Sequence, residues 1–433
     1  MSEWSRIKLA DVAEIRPSNV DKKTIRGEVP VRLCNYMDVY GNSGYITNDL
    51  PFMEASASIV EIERFRVECG DVMLTKDSET PDDIGIPAVV VDEIQNLVSG
   101  YHLALIKPRR EQIDSVYLAK QLGSKPTARY FSRLANGSTR YGLSSSSIAC
   151  TSIPLAPLPQ QRRIAEILLT VDEAIEQTEA LIMKYQQIKA GLMHDLFTRG
   201  ITPDGHLRPT RAQAPHLYKE SPLGWIPKEW ECFATEDKVR VIDAQPDHRT
   251  PPEVEEGYPY IGIGDISPTG EILFGQARQV SSTAFTKQLN SFEVEPGAFI
   301  FGKIGTLGSP TRIPHERLFA ISANVVLLTT KVRADASFAF WLYHSQWVER
   351  QISDATNTTS QPALGIQKIR KFILPWPSTN SERAVITSRL ETMLQVLQSL
   401  EREKHKIHLF KHGLMHDLLT GRVRVKVAET ASI

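Results

Sequence analysis

The pairs His194-Asp195 and His416-Asp417 are the residues of this chain that first suggest chemistry, because an imidazole beside a carboxylate can share a metal ion. Each pair ends a long helical pattern among leucines, where a histidine meets the favourable end of the helix dipole. Structural or partner-docking use is the expected role. Glu236-Asp237-Lys238 offers the E-x-K spacing of a metal-dependent nuclease. Its nearest upstream Pro-Asp, Pro203-Asp204, falls in a breaker-rich link, so a surface charge cluster is the better reading. Ile261-Gly262-Ile263-Gly264-Asp265 is a lone glycine pair with no helical pattern after it, unlike a dinucleotide fingerprint. There is no G-x-x-x-x-G-K-S/T loop and no Asp/Asn-Pro-Pro-aromatic loop. The expectation is a chain with no catalytic residue, no metal and no cofactor.

A chain of 433 residues exceeds one ordinary core, and 41% hydrophobic with 23% charged residues is the balance of a folded protein. The net charge of −1 argues against coating nucleic acid by bulk electrostatics, though it permits local basic faces. Cys34, Cys69, Cys150 and Cys232 are scattered and read as reduced thiols. With no signal-like opening and no membrane-length apolar run, a cytoplasmic address is expected.

The chain is a duplication. Gly191-Leu192-Met193-His194-Asp195-Leu196-Phe197-Thr198 returns as Gly413-Leu414-Met415-His416-Asp417-Leu418-Leu419-Thr420, with seven of eight positions identical. Leu143, Ile148 and Ile153-Pro154 match Leu364, Ile369 and Leu374-Pro375; Glu3-Trp4 matches Glu229-Trp230. Cys69-Gly70-Asp71-Val72-Met73-Leu74 resembles Pro296-Gly297-Ala298-Phe299-Ile300-Phe301. The helical ends repeat closely, whereas the mixed regions have diverged almost beyond recognition.

Residues 160–198 contain no proline, and their apolar or tolerated positions step by three and four. They are Ile164, Ile167, Val171, Ala174, Thr178, Leu181, Tyr185, Ile188 and Leu192, a heptad seam on a rod of roughly 57 Å. The second rod starts near Thr379, whose spacing to Glu382 fits a capping box, and carries Ile386, Leu390, Met393, Leu397, Leu400, Ile407, Phe410 and Leu414. Glu403 and Lys404 interrupt its stripe. Neither rod can bury its stripe alone, so the two are expected to pack antiparallel as a coiled coil. Residues 201–228 hold five prolines and two glycines, too many breakers for a regular element, and read as an ordered-to-extended connector running back along the rod.

The regions before each rod alternate short hydrophobic runs with Gly, Pro, Asn and Ser clusters, and helical patterns are confined to residues 115–122 and 338–352. The fold class is α+β: two pseudo-symmetric mixed α/β domains separated by two long antiparallel helices.

Three segments resemble one family. Pro157-Leu158-Pro159-Gln160-Gln161-Arg162-Arg163-Ile164-Ala165-Glu166-Ile167-Leu168 is similar to the entry of the first conserved helix in specificity subunits of type I restriction–modification systems. Ser221-Pro222-Leu223-Gly224-Trp225-Ile226-Pro227-Lys228-Glu229-Trp230 resembles the lead into their second recognition domain. Gly302-Lys303-Ile304-Gly305-Thr306-Leu307-Gly308 and Thr358-Thr359-Ser360-Gln361-Pro362-Ala363-Leu364 resemble two turns of such domains. The first domain departs from the pattern, with Leu74-Thr75-Lys76-Asp77-Ser78 in place of a G-K-I-G-T turn.

The resemblance implies target recognition domains at residues 1–156 and 229–377, spacer helices at 157–199 and 378–420, a linker at 200–228 and a tail at 421–433. It implies double-stranded DNA as ligand, with two methyltransferase subunits and restriction subunits as partners. Base reading needs donors and acceptors on loops beside positive charge. The expected DNA-binding residues are Lys76, Asp77, Ser78, Arg140 and Tyr141 in the first domain, and Lys303, Thr306, Arg312, Thr359 and Gln361 in the second. A coiled-coil adaptor without DNA is the competing reading.

Overall fold

The apolar runs Leu103–Pro108 and Val325–Thr330 become interior strands of two sheets, and their continuity follows from burial on both faces. The computed structural model describes residues 4–246, 249–267, 270–316, 318–356 and 363–427. The chain folds into two units, one formed by Met1–Ala180 with Glu401–Ile433 and the other by Leu181–Leu400. Each long helix, Leu158–Thr198 and Asn380–Leu419, contributes one half to each unit.

The units repeat the order of four main-sheet strands, and the first adds a fifth, Tyr45–Ile46, at the edge. In the first, the main sheet runs Ala13–Pro17, Leu103–Pro108, Val72–Thr75, Pro87–Val90, Tyr45–Ile46. In the second it runs Val239–Ile242, Val325–Thr330, Phe299–Gly302, Gly308–Arg312. A side sheet accompanies each: Val29–Cys34 lies antiparallel to Met53–Ala57 and parallel to Leu97–Ser99. Its counterpart Glu253–Ile261 lies antiparallel to Gln279–Val280 and parallel to Ala320–Ile321. Ser5–Lys8 pairs with Ser152–Leu155 as Trp230–Ala234 pairs with Ile373–Pro377. The divergence visible in the sequence is therefore one of side chains on a conserved strand order.

Alternation along the strands sorts the core into two layers per unit. Ala104, Ile106, Val72 and Leu74 pack with Ile164, Leu168, Leu418 and Leu419 of the long helices, while Leu103, Leu105 and Met73 pack with Cys34 and Leu97. In the second unit Val326, Leu328, Phe299 and Phe301 join Leu196, Phe197, Ile386 and Leu390. Ile300, Val325 and Leu327 face Ile261 and Ile321. The helical pattern at 115–122 is the helix Ser115–Leu122; that at 338–352 is broken at His344-Ser345 into Ala336–Tyr343 and Gln346–Thr356.

Within each unit the long helices run antiparallel. In the first, Asp172 meets Lys411, 2.6 Å away; in the second, Glu382 near the start of one helix accepts from the Ile201 amide just beyond the end of the other. The seam of the first helix differs in phase from expectation. Ile164, Val171 and Thr178 are buried and Tyr185 and Leu192 half-buried, but the intervening positions are Leu168, Ile175, Ile182 and Lys189. Ile167 and Ala174 are only half-buried, while Leu181 and Ile188 are each 43% exposed. The steps run four then three, and the apolar neighbour one residue earlier imitated the reverse. On the second helix Ile386, Leu390 and Leu397 are buried and Met393, Leu400, Ile407 and Leu414 half-buried. Phe410 is 61% exposed, and the partly buried Lys411 beside it reaches Asp172.

Asp172 is 8% exposed and collects three donors at 2.6 Å: Tyr45 Oη, Lys120 Nζ and Lys411 Nζ. Burial pushes its carboxyl up, and the two ammonium groups with the hydroxyl outweigh that and hold it below the ordinary range. Thr379 does cap the second helix through the Glu382 amide, 3.3 Å. The Glu382 carboxylate does not return to the cap; it bonds Arg208, Ile201 N and Trp230 Nε1. Residues 201–228 are ordered, but they do contain a regular element. They form a hairpin, Tyr218–Ser221 with Gly224–Pro227, closed by Gly224 at φ +96°, and they bury Ile201 and Ile226 in the second unit's core.

Two outcomes are expected from urea unfolding. Leu168→Ala should cost about 2–5 kcal/mol, whereas Ile188→Ala should cost about 1 kcal/mol or less. Asp172→Ala, which strands two ammonium groups, should cost about 3–5 kcal/mol, and a loss under 1 kcal/mol would remove it as an anchor.

Candidate nucleic-acid interface

Lys76 and Lys303 follow equivalent strands, Val72–Thr75 and Phe299–Gly302. The Lys76 amide donates to His102 O (3.0 Å) and its carbonyl accepts from Leu143 N (2.8 Å). The Lys303 amide donates to Asn324 O (2.8 Å) and its carbonyl accepts from Leu364 N (2.7 Å). The Thr-Lys-Asp turn of the first unit is thus the counterpart of the Gly-Lys-Ile turn, although their sequences differ. Gly302 is required locally, since a Cβ there would stand 2.2 Å from Thr306 O.

Beside each turn the side sheet ends in an open cleft. In the first unit Asn35 N donates to Asp38 and Gly100 N to Cys34 O; in the second Gly262 N donates to Asp265 and Ser322 N to Ile261 O. The first cleft, about 480 Å³, is lined by Lys22, Tyr36, Tyr40, Asp77, His102 and Arg140 among others. The second, about 630 Å³, is lined by Tyr260, Gly262, Asp265, Arg278, Ile304 and Asn324 among others.

The structure brings the five expected residues of the first domain together. Asp77 and Ser78 form a short strand paired with Tyr141 and Gly142, which sets Arg140 at the cleft. Asp77 holds Lys76 Nζ at 2.8 Å and His102 Nδ1 at 2.9 Å, and Lys76 lies 4.8 Å from the Tyr101 ring. Ser78 is buried and its Oγ accepts from Thr80 N, so it shapes the turn. Arg140 is exposed, and Tyr36 stacks on Tyr40 at 5.2 Å.

The second set is dispersed in role. Lys303 is 3% exposed with its ammonium 3.1 Å from Asp243, so it braces the turn from inside. Arg312 lies over the Phe340 ring at 4.0 Å and pairs with Glu391 of the long helix, which makes it a packing residue. Thr306 is exposed at the turn tip; Thr359 and Gln361 lie outside the described residues. Sequence reading missed His102, Tyr36, Tyr260, Arg278 and Asn324. The first two stand next to the sequence motifs only in space, and Asn324 is equivalent to His102, a match that strand register alone reveals.

Among the described residues no His/Cys/Asp/Glu group could hold a metal ion, and no helix is long and apolar enough to cross a membrane.

A duplicated α+β module with one polar cleft per copy, carried on a pair of long helices, is the class of protein that this fold defines. Residues 1–184 match the family model of the type I restriction modification DNA specificity domain. The chain is 22% identical over 431 residues to a putative type I restriction enzyme MjaX specificity subunit of Methanocaldococcus jannaschii, covering 98% of this chain and 94% of that protein. It is 24% identical over 288 residues to the type I restriction enzyme MjaVIII specificity subunit of the same organism, covering 63% and 62%. In fold it is similar to the type I restriction–modification S subunit of M. genitalium, with TM-score 0.59, 14% identity and 96% coverage of each chain. A chain from a study of type I R-M complex assembly and conformational transition gives TM-score 0.57 at 15% identity, covering 97% and 98%.

Arg312→Ala should lower unfolding free energy by about 1–3 kcal/mol through lost ring and carboxylate contacts. Arg140→Ala should stay within about 0.5 kcal/mol of the parent. Equal losses at both positions in chemical denaturation would refute this division.

Proposed function

We propose that this chain is the non-catalytic specificity subunit of a cytoplasmic type I restriction–modification complex, each unit reading one half of a bipartite DNA target. The observation that carries this is the equivalent polar cleft, built on the same strand order, in both units. A split site gains affinity only when both ends engage together, so this reading requires the long helices to keep a constant span between the two readers. Half-sites read from one face of B-DNA then lie about 34 Å apart.

In this reading two methyltransferase subunits dock on the paired helices and restriction subunits join the assembly. Lys76, Asp77, Arg140 and Tyr141 work at the first cleft, with His102 added. Thr306, Thr359 and Gln361 work at the second; Lys303 and Arg312 support it without touching DNA. The low net charge suits a subunit held on DNA partly by its partners.

Replacing residues 1–156 with the corresponding domain of a relative of different specificity, followed by mapping of methylated sites, is expected to alter one half of the target and leave the other. Both halves changing together would overturn the two-reader model. Removing whole heptads from both helices in register should shift the spacing tolerated between half-sites.

A further inference from the structure

Asn324 has an unusual hydrogen-bonding account. Its backbone is clamped, with the carbonyl receiving both Lys303 N at 2.8 Å and Ile304 N at 3.2 Å, and the amide meeting Ser322 Oγ at 3.4 Å. Its side chain lines the second cleft, yet among the described residues nothing donates to the buried Oδ1. Buried polar side chains that serve structure are nearly always bonded. Two neighbouring groups of the cleft follow that rule: Tyr260 Oη accepts from Ala323 N at 3.1 Å, and Asp265 accepts from Gly262 N at 2.8 Å. Gly262 makes the room for the carboxamide, because a Cβ there would lie 2.7 Å from Oδ1 and 3.0 Å from Nδ2. Arg278 adds positive charge, with Nη2 bonded to Pro251 O and Nε unpartnered among the described residues.

A carboxamide pairs bidentately with adenine, accepting from N6 and donating to N7. We infer that Asn324 is the specificity-determining residue of the second recognition domain and takes the major-groove edge of an adenine in its half-site, an inference that rests on the two-reader function proposed above. Pairing requires the amide to turn about its terminal torsion so that Oδ1, buried as it stands, faces the cleft, and no hydrogen bond to Oδ1 opposes that turn. At the equivalent point of the first domain stands His102, already oriented by Asp77, so the two domains offer different recognition groups at one position of a shared frame.

The test selects duplexes from a randomised pool with the full chain assembled with its methyltransferase subunits, comparing parent, Asn324→Ala and Gly262→Ala. Gly262→Ala leaves the amide in place chemically and displaces it sterically, which covers the case of a poorly folded Asn324→Ala. The expected result is an adenine preference of about tenfold or more at one position of the parent site that falls to near parity in both variants. The other half-site and the spacing stay as they were. Unchanged preference in the variants, relaxation in the half assigned to the first domain by the exchange of residues 1–156, or a parent half-site without adenine overturns the assignment. Absence of any enrichment by the parent defeats the two-reader function itself.

Discussion

A polar side chain buried on a long helix must find its partners, and in both units most of them lie off the helices, in the mixed domain or the 200–228 segment. Gln161, fully buried at the start of the first helix, accepts from Asp114 N and donates to the carbonyls of Gln112 and Ala156. Glu382, at the matching position of the second helix, serves Arg208, Ile201 N and Trp230. Apolar contact tolerates small rotations and slides, whereas such directional sets do not. They fix how each helix is turned and how far along its axis it sits. Asp172 adds a second fixed point in the first unit, drawing one donor from the Tyr45 strand, one from the Ser115–Leu122 helix and one from the opposite long helix. These clamps tie each long helix to the unit that it enters.

The duplication was legible where identity survived, at the helix ends and at the matched Leu-Ile-Ile-Pro and Leu-Ile-Leu-Pro strings. Strand order could not be read, because pairing of Val29–Cys34 with Leu97–Ser99 joins segments separated by other strands. The seam phase failed at Leu181, where the adjacent apolar pair Leu181-Ile182 can face inward through either member, and at Ile188, where the half-buried seam position is Lys189. The proline-rich hairpin at 218–227 was hidden by its breakers, which here close a turn and edge two strands.

At the clefts, residue type predicted presence better than role. Lys303 and Arg312 carry charge on a recognition-like turn, yet both spend it inside the protein on Asp243 and Glu391. The uncharged Asn324 keeps its carboxamide oxygen unspent. Hydrogen-bonding capacity left over after folding is what a ligand can use, and only coordinates reveal that remainder.

Membership of the first unit by both ends of the sequence bears on biogenesis. Leu418 and Leu419 complete the core around Ile164 and Leu168, and Leu419 O accepts from the buried Gln121. The second unit has all its residues once synthesis reaches Leu400, while the first must wait for the stretch that follows. The later-encoded unit is therefore the first to have all its residues made, while the earlier one still lacks the Leu418 and Leu419 cover over Ile164 and Leu168.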